Sequence, residues 1–590
     1  METRIAQLEE RVRELTRSLE RLEARLAALE GTASPSAVPE AGAAVAPFEP
    51  RTAAEPASGG AELLALAGRA LLVLGGAYLI RWLTEAGTLA QGVGAAAAFL
   101  YAALWVVAAE RAAARGRAQE ASFHGAAALL IGYPLIYEST ARLGLLGAGG
   151  AALAVALLTA LLLFVAVRRD LLLLAWGAVG AALATTLGLV VQTHAILTLS
   201  TLAVALGLGC LVVGNVKEWS ALAWLPAIAA DLLVWQLTYL STRPEGPPEA
   251  YGELPGATVA TIALALAFGY LASVALRTLA GGHDVTLFEA LQTAVALAIG
   301  LGGVSGLARA STAAATLLAV GTVWVGLGAY AAAFVYVERP LGRVRNFYFY
   351  TWLGLGLVLW GSRAVLDAPA AGLAWCVLGL TAALLGGHYR RATLRTHGAI
   401  YLWAAALATG LAPAAADAFL AVAGTAWRWL SAASGVALVA AAACYGILNV
   451  TEPSAELPRR ARLPRLTLAI LGLLGSGGVL VTALANLSPG APAVAAMRTA
   501  VLTFSALGLA LASRSPRFLE LSWLVYPVLG AAGVKLLVED LRVGKAATLF
   551  PVFVLYGLAL IVTPRLLRRR PAWPEGTPAE SPDESSAAGG

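Results

Sequence analysis

The stretch LLLLAWGAVGAALATTLGLVVQTHAILTLSTLAVALGLGCLVVGNVK (residues 171–217) contains no Asp, Glu, Lys or Arg before Lys217. It consists mainly of Leu, Ala, Val and Gly, and it is long enough for two helices of the roughly 20 residues that a bilayer crossing needs. The pattern predicts two transmembrane helices, which begin near residues 171 and 195. Similar runs occupy most of the chain, so the fold class follows from this pattern.

Apolar runs of this kind continue from Leu63 to Leu567 with only short interruptions. Charged residues make up 13% of the 590 residues and the mean hydropathy is +0.76, whereas soluble domains carry about 25% charged residues. We therefore predict an all-α polytopic membrane protein with about 18 transmembrane helices. Their predicted starts are residues 66, 89, 123, 145, 171, 195, 221, 257, 286, 311, 347, 370, 397, 431, 466, 491, 519 and 546.

Four parts are predicted along the chain, and the multi-pass transmembrane domain, residues 61–570, is the largest. Residues 1–30 carry apolar side chains at alternating spacings of three and four, which is the a/d pattern of a coiled coil. Pro, Ala, Gly and Ser dominate residues 31–60, a composition typical of a flexible, disordered linker, and residues 571–590 are predicted to be a disordered tail. We expect homo-oligomer formation through residues 5–29; a lone amphipathic helix is the alternative.

The distribution of arginines predicts the orientation in the membrane. Loops that contain Arg168–Arg169, Arg459–Arg465 and Arg565–Arg570 all fall on one side when the helices alternate, and cytoplasmic loops carry an excess of Lys and Arg. The coil is therefore predicted to be cytoplasmic, and an even number of helices places the C-terminus there too. We predict that residues 413–430 form an interfacial helix on the outer face, because a further span would invert every later loop.

Several classes of function are not indicated by the sequence. The net charge of +6 does not predict a nucleic-acid partner, because the basic residues are spread over short loops and are not gathered on one face. There is no Walker A, HExxH or GxSxG motif, and Cys210, Cys376 and Cys444 have no CxxC spacing. We predict no cofactor and no metal, with the lipid bilayer as the main partner, and we expect that the protein is not an enzyme.

Polar side chains inside the predicted spans are the remaining candidates for a site, because a charge at the centre of a membrane helix costs roughly 2.5–3.5 kcal/mol on the insertion scale. Asp231 is the acid predicted near a helix centre, and Gln236 follows it on the next turn. Glu289 and Gln292 stand three residues apart near the inner end of the ninth span. Asp231 either forms a protonatable or cation-binding site or makes a structural hydrogen bond to a neighbouring helix.

The third predicted span, FHGAAALLIGYPLIYEST (residues 123–140), combines a proline with aromatic and acidic residues. Pro134 removes a backbone donor and loosens a helical turn. Tyr133 and Tyr137 share a helix face, with Glu138 beside them toward the outer mouth. These residues line a cavity in one interpretation, and they belong to a kinked packing helix in the other.

A third group of candidates lies before the final span. Lys535, Glu539 and Asp540 are predicted at the outer mouth of the helix bundle. Either they form a binding site, or they belong to a solvated loop in which Lys535 pairs with Glu539 one helical turn away.

Two further stretches, GRALLVLGGAYLIRWLTEAG (residues 68–87) and VYPVLGAAGVKLLVEDLRVGKAATLFPVFVLYGLALIVTPRLLRR (residues 525–569), follow the coil and linker. Together with the coil they resemble domain-of-unknown-function family 2339, predicted multi-pass bacterial membrane proteins; the element Lys535…Asp540-Leu541 carries most of the resemblance. The resemblance implies a bacterial cytoplasmic (inner) membrane and many helices. It supplies no catalytic residue.

These patterns together favour a non-enzymatic inner-membrane protein that self-associates through its coil and serves envelope organisation or the carriage of a substrate. The alternative is a secondary transporter or lipid-handling carrier with its site around Asp231 and the Tyr133–Glu138 helix. A membrane-embedded transferase is a third alternative, although it would need a cluster of His or acidic residues that the sequence does not display.

Overall fold

The computed structural model describes residues 59–308, 312–337, 344–421, 429–451, 457–487 and 490–567. Within these ranges the chain is helical and contains no strand, which confirms the predicted all-α fold. The predicted coil (1–30), the tail (571–590) and the linker (31–60) up to residue 58 lie outside the described residues. By its internal contacts the chain divides into two units, one that ends at Leu72 and one that begins at Val73. The sites described below belong to the second unit.

Nineteen α-helices of ten or more residues account for most of the described chain. In chain order they are α1 (Gly59–Glu85), α2 (Gln91–Ala114), α3 (Ala118–Ala141), α4 (Ala148–Arg169), α5 (Leu172–Thr193), α6 (Ile196–Lys217), α7 (Trp224–Ser241), α8 (Gly256–Ala275), α9 (Leu287–Ala308), α10 (Thr312–Ala331), α11 (Val344–Val365), α12 (Ala368–His388), α13 (Ala392–Ala408), α14 (Leu411–Leu420), α15 (Ala432–Thr451), α16 (Leu463–Leu487), α17 (Ala491–Ala512), α18 (Ser522–Lys535) and α19 (Ala546–Leu567).

Fourteen helical segments of the described chain are long and apolar enough to cross a membrane, or up to 15 if the bent pair α13–α14 is one span. The protein is therefore a multi-pass membrane protein. Every predicted start lies within a helix or less than one turn from its first residue. Helices α1, α3 and α11 are 27, 24 and 22 residues long but are not among the fourteen, so the count of about 18 crossings stays a prediction.

The outside of the bundle carries many large apolar side chains, as expected for a protein whose solvent is lipid. Leu173, Val191 and Leu317 are each at least 75% exposed. Ala is the most frequent of the buried apolar residues, because helices in a bilayer associate by close van der Waals packing and small residues allow a close approach. One hydrophobic core joins α2 to α9, and a second joins α11 to α16.

Glycines set the closest helix contact between α10 and α11. A Cβ at Gly326 would lie 3.1 Å from the carbonyl oxygen of Gly354, and a Cβ at Gly354 would lie 2.9 Å from that of Gly326. Two turns further along α11, a Cβ at Gly361 would lie only 2.7 Å from the carbonyl oxygen of Ala319. This face of α11 is therefore committed to packing, which leaves its other face available for a site.

Helices α13 and α14 are bent by 66° at a short break. Gly410 supplies the turn with φ of +83°, a left-handed conformation that favours glycine. Helix α14 then packs on α16, with Leu411 against Gly475 and Ala415 against Gly478. Thr409, just before the break, accepts from the Ser434 hydroxyl at the start of α15, and a Cβ at Gly372 near the start of α12 would lie 2.5 Å from the Thr409 side chain. Helix α14 therefore begins beside the first turns of α12 and α15. The interfacial helix predicted over 413–430 stays a prediction, because α14 covers only part of this range and residues 422–428 lie outside the described chain.

Candidate functional site

A cavity of about 660 Å³ opens along the side of the bundle between α9 and α11. Its walls are mainly apolar and aromatic. We call it the α9–α11 groove, after the two helices that carry most of its lining. The lining includes Thr293, Leu297, Leu301, Arg345, Trp352 and Trp360. Trp352 and Trp360 are 51% and 42% exposed, so the groove opens to the outside of the bundle. A ligand can therefore reach it sideways, from the bilayer.

Asn346 fixes one end of the groove. Its side chain is 1% exposed; Oδ1 accepts from the backbone N–H of Val285 at 2.6 Å, and Nδ2 donates to the carbonyl of His283 at 2.8 Å. These bonds tie the start of α11 to the segment before α9. They place the neighbouring Arg345 at the end of the groove, where its side chain is exposed and pairs with no carboxylate of the described residues.

Glu289 holds the same end of α9 in place. The Thr286 hydroxyl accepts from the Glu289 N–H at 3.2 Å, and Glu289 Oε2 accepts from the Thr286 N–H at 2.7 Å, which is a capping box. The same carboxylate forms an ion pair with Arg277. Oε2 of this predicted site residue is thus engaged within the fold, and Glu289 positions the helix that forms the groove wall.

Asp231 and Gln292, proposed separately from the sequence, meet across α7 and α9. Gln292 Nε2 donates to Asp231 Oδ2 at 2.8 Å, and both side chains are buried. Asp231 Oδ1 and the nearby buried hydroxyl of Tyr270 find no hydrogen-bond partner among the described residues. Gln236 is half-buried and does not bond to Asp231. The pair supports the interpretation of Asp231 as one side of an interhelical hydrogen bond.

The third helix lines a cavity with Glu138, as one interpretation predicted, but not with Tyr133 or Tyr137. Tyr133 is buried and hydrogen-bonds to Thr159 Oγ1 at 2.7 Å and to the Ala178 carbonyl at 3.1 Å, so it fastens α3 to α4 and α5. Tyr137 packs near Gly188 of α5. Pro134 and Glu138 instead line a separate cavity of about 340 Å³ between α1, α2 and α3.

The residues before the final helix form a buried ionic cluster. Lys535 Nζ donates to Asp540 Oδ1 at 2.7 Å and lies 3.4 Å from Glu539 Oε2, so the predicted Lys535–Glu539 pair is confirmed. Thr499 donates to Asp540 Oδ2 at 2.5 Å. The Asp540 and Lys535 side chains are only 2% and 12% exposed. The expectation of a solvated loop is therefore wrong: α17 covers these residues.

Arg498, which the sequence reasoning missed, completes this cluster. Its Nη1 donates to Glu539 at 2.8 Å, while Nε and Nη2 donate to the carbonyls of Ala418 and Ala421, each at 2.8 Å. Those carbonyls lie at the end of α14, where the helix leaves acceptors unpaired and its dipole favours a cation. The cluster binds α14, α17 and α18 together and uses all four of its charged groups.

Glu520 is a buried acid that the sequence pattern also did not single out. Glu520 is fully buried, and its Oε1 accepts from the Tyr445 hydroxyl at 2.8 Å. Its Oε2 finds no hydrogen-bond partner among the described residues. Across the described ranges, no group of three or more His, Cys, Asp or Glu residues is placed to hold a metal ion. The two cavities described above are the candidate binding features of the described chain.

Comparison of the chain with protein-family models, with curated proteins and with solved structures found no match. The resemblance to domain-of-unknown-function family 2339 therefore stays a prediction.

Proposed function

We propose that this membrane protein is a lipid-handling carrier that holds an anionic phospholipid in the α9–α11 groove, with the phosphate beside Arg345. The observation that carries the proposal is the groove itself: about 660 Å³ of apolar space, open on the side of the bundle, with a cation at one end. This volume falls in the range of about 300–1,000 Å³ that is typical of small-molecule sites.

The dimensions of the groove suit an acyl chain. Between Arg345 and Trp360 it follows α11 for about 22 Å at a rise of 1.5 Å per residue. One leaflet of hydrocarbon is about 15 Å thick, half of the bilayer core. A chain that enters from the membrane can therefore lie along Leu297 and Leu301, and the apolar walls give no reason to bind a polar, water-soluble metabolite.

Two polar groups would orient the lipid. A guanidinium binds phosphate oxygens in a bidentate manner. By the positive-inside rule Arg345 is expected at the cytoplasmic end of the groove, which fits a lipid of the inner leaflet. Further along the wall, the Thr293 hydroxyl is buried without a hydrogen-bond partner among the described residues. Since Thr293 has no exposed surface, a rotation of its side chain toward the groove would be needed for it to donate to an ester carbonyl of the lipid.

Filling the groove tests the proposal. Gly356 lines the groove, and a Cβ there would meet nothing within 4 Å. We expect Gly356→Leu to lower the amount of phospholipid that copurifies with the protein by about tenfold, equivalent to ~1.4 kcal/mol, as counted by native mass spectrometry. Gly328→Leu is the matched control, because Gly328 is exposed on α10 with equally open space around it and does not line the groove. Equal lipid occupancy in both variants would contradict the proposal.

Self-association through residues 5–29 belongs to the same proposal, and it would place several carriers side by side in the envelope. Its support is the heptad pattern; the segment lies outside the described residues. We expect deletion of residues 1–30 to reduce the particle mass in detergent, measured by light scattering, to that of a smaller assembly. A mass that falls only by that of the deleted residues would argue against the coil as the oligomerisation element.

A further inference from the structure

The second cavity lies where α1 and α3 end and α2 begins, at the predicted outer end of the bundle. We call it the α1–α3 cavity. Its volume is about 340 Å³, and its lining includes Leu74, Arg81, Glu85, Ala98, Pro134 and Glu138. By the alternation of the helices, this end is opposite to the one at which Arg345 lies.

The rim of the α1–α3 cavity is ionic and rich in acceptors. Arg81 lies 2.9 Å from Glu85 and 3.0 Å from Glu138, whereas Arg142, which does not line the cavity, lies 3.2 Å from Glu138. The lining itself carries two carboxylates and one guanidinium, and with Arg142 on Glu138 the ionic cluster as a whole is neutral. The Glu138 side chain is 27% exposed, so its charge is less screened than one on an open surface.

Pro134 adds a further acceptor. A helical N–H normally donates to the carbonyl four residues earlier, which for position 134 is that of Leu130, and proline has no N–H to donate. Both residues line the cavity. The Leu130 carbonyl therefore lacks its usual helical donor. Leu130 and Glu138 belong to the same wall of the cavity.

Below the rim the cavity is apolar, with Leu74, Ala77, Ala98 and Ile131 in its wall. A ligand that matches the whole surface has a hydrocarbon part, an ammonium group with N–H donors for the carboxylates and the carbonyl, and an anion for Arg81. We propose that the α1–α3 cavity binds the headgroup of an aminophospholipid from the outer leaflet, with its primary ammonium on Glu138 and Glu85 and its phosphate on Arg81.

Binding in this manner exchanges charged partners without leaving any charge alone. The ammonium replaces the guanidinium beside the carboxylates, and the phosphate receives the guanidinium that is released. A quaternary ammonium has no N–H to donate, and a site built on such donors rejects the analogue that lacks them because its acceptors are then left unpaired. The site should therefore prefer phosphatidylethanolamine to phosphatidylcholine.

The test measures the lipids retained by the full chain in detergent after incubation with equal amounts of phosphatidylethanolamine and phosphatidylcholine, by native mass spectrometry. We expect the wild type to retain phosphatidylethanolamine over phosphatidylcholine by about tenfold, from hydrogen bonds to charged groups. Glu138→Gln should remove most of this preference. Glu120→Gln is the control, because Glu120 lies on the same helix in an exposed pair with Arg117 and should keep it.

Two further variants test the cavity independently, in case Glu138→Gln loses the preference through a folding defect. Ala98→Phe should abolish the preference, whereas Ala96→Phe, whose side chain is exposed on the same helix away from the cavity, should not. Equal retention of the two lipids by the wild type, or a preference that survives both Glu138→Gln and Ala98→Phe, would overturn the inference. Arg345→Ala distinguishes this site from the α9–α11 groove, because Arg345 lines the groove and not the α1–α3 cavity. The preference for phosphatidylethanolamine should be the same in this variant as in the wild type, whether or not the groove binds a lipid.

Discussion

Arg498→Ala is expected to lower the free energy of unfolding by about 3–5 kcal/mol, the cost of removing one partner from a buried ion pair. The Arg498 side chain is 1% exposed, and its guanidinium donates to Glu539 and to two carbonyls at the end of α14. The alanine variant would leave the Glu539 carboxylate and those carbonyls without this donor. Because the same side chain joins α14, α17 and the helical turn that follows α18, we expect the loss to loosen the contacts among these three elements.

The measurement is the midpoint of unfolding in a titration of detergent-solubilised protein with a denaturing detergent. Arg514→Ala is the control: Arg514 is exposed just after α17 and its removal should change stability by at most about 0.5 kcal/mol. The double variant Arg498→Met/Glu539→Gln should recover part of the loss, since it removes both buried charges together. If Arg498→Ala unfolds at the same point as Arg514→Ala, the cluster does not hold these helices together.

The helices could be predicted because long apolar runs and the short loops between them are properties of consecutive residues. The ionic cluster could be predicted only in part. Lys535 and Glu539 are one turn apart, so their pairing follows from helix geometry, whereas Arg498 lies 41 residues from Glu539. Arg498 nevertheless lies within a predicted span, where a charge is costly and needs a partner, so its position alone indicates a buried contact.

The same difference between local and distant contacts explains the other candidates. The Thr286–Glu289 capping box is present in the sequence as T-L-F-E before an apolar run, and it accounts for Glu289 without any ligand. The Asp231–Gln292 bond joins two helices, which no spacing within one helix indicates. The α9–α11 groove was not predictable from the sequence. Its lining consists of Ala, Leu and Trp residues of the kind found in any membrane span, and only their arrangement in space leaves a cavity.

Gly361→Leu is expected to destabilise the protein by about 3 kcal/mol through overpacking, the upper part of the usual range. A Cβ at Gly361 would lie 2.7 Å from the Ala319 carbonyl oxygen and 2.9 Å from the Val323 nitrogen. Both are backbone atoms of α10, so no side chain can rotate to make room and the helices must move apart. Since the opposite face of α11 lines the groove, the variant should also retain less lipid.

Gly356→Leu is the matched control, because it makes the same substitution on the same helix at a position with open space around it. Both variants gain the same helix propensity, up to about 1 kcal/mol for the loss of a glycine, so the difference between their unfolding midpoints isolates the α10–α11 contact. We expect Gly356→Leu to lose lipid while it keeps its stability, and Gly361→Leu to lose both. Equal stability of the two variants would mean that α10 and α11 do not approach closely at Gly361. The position of α11 as a wall of the groove would then be contradicted.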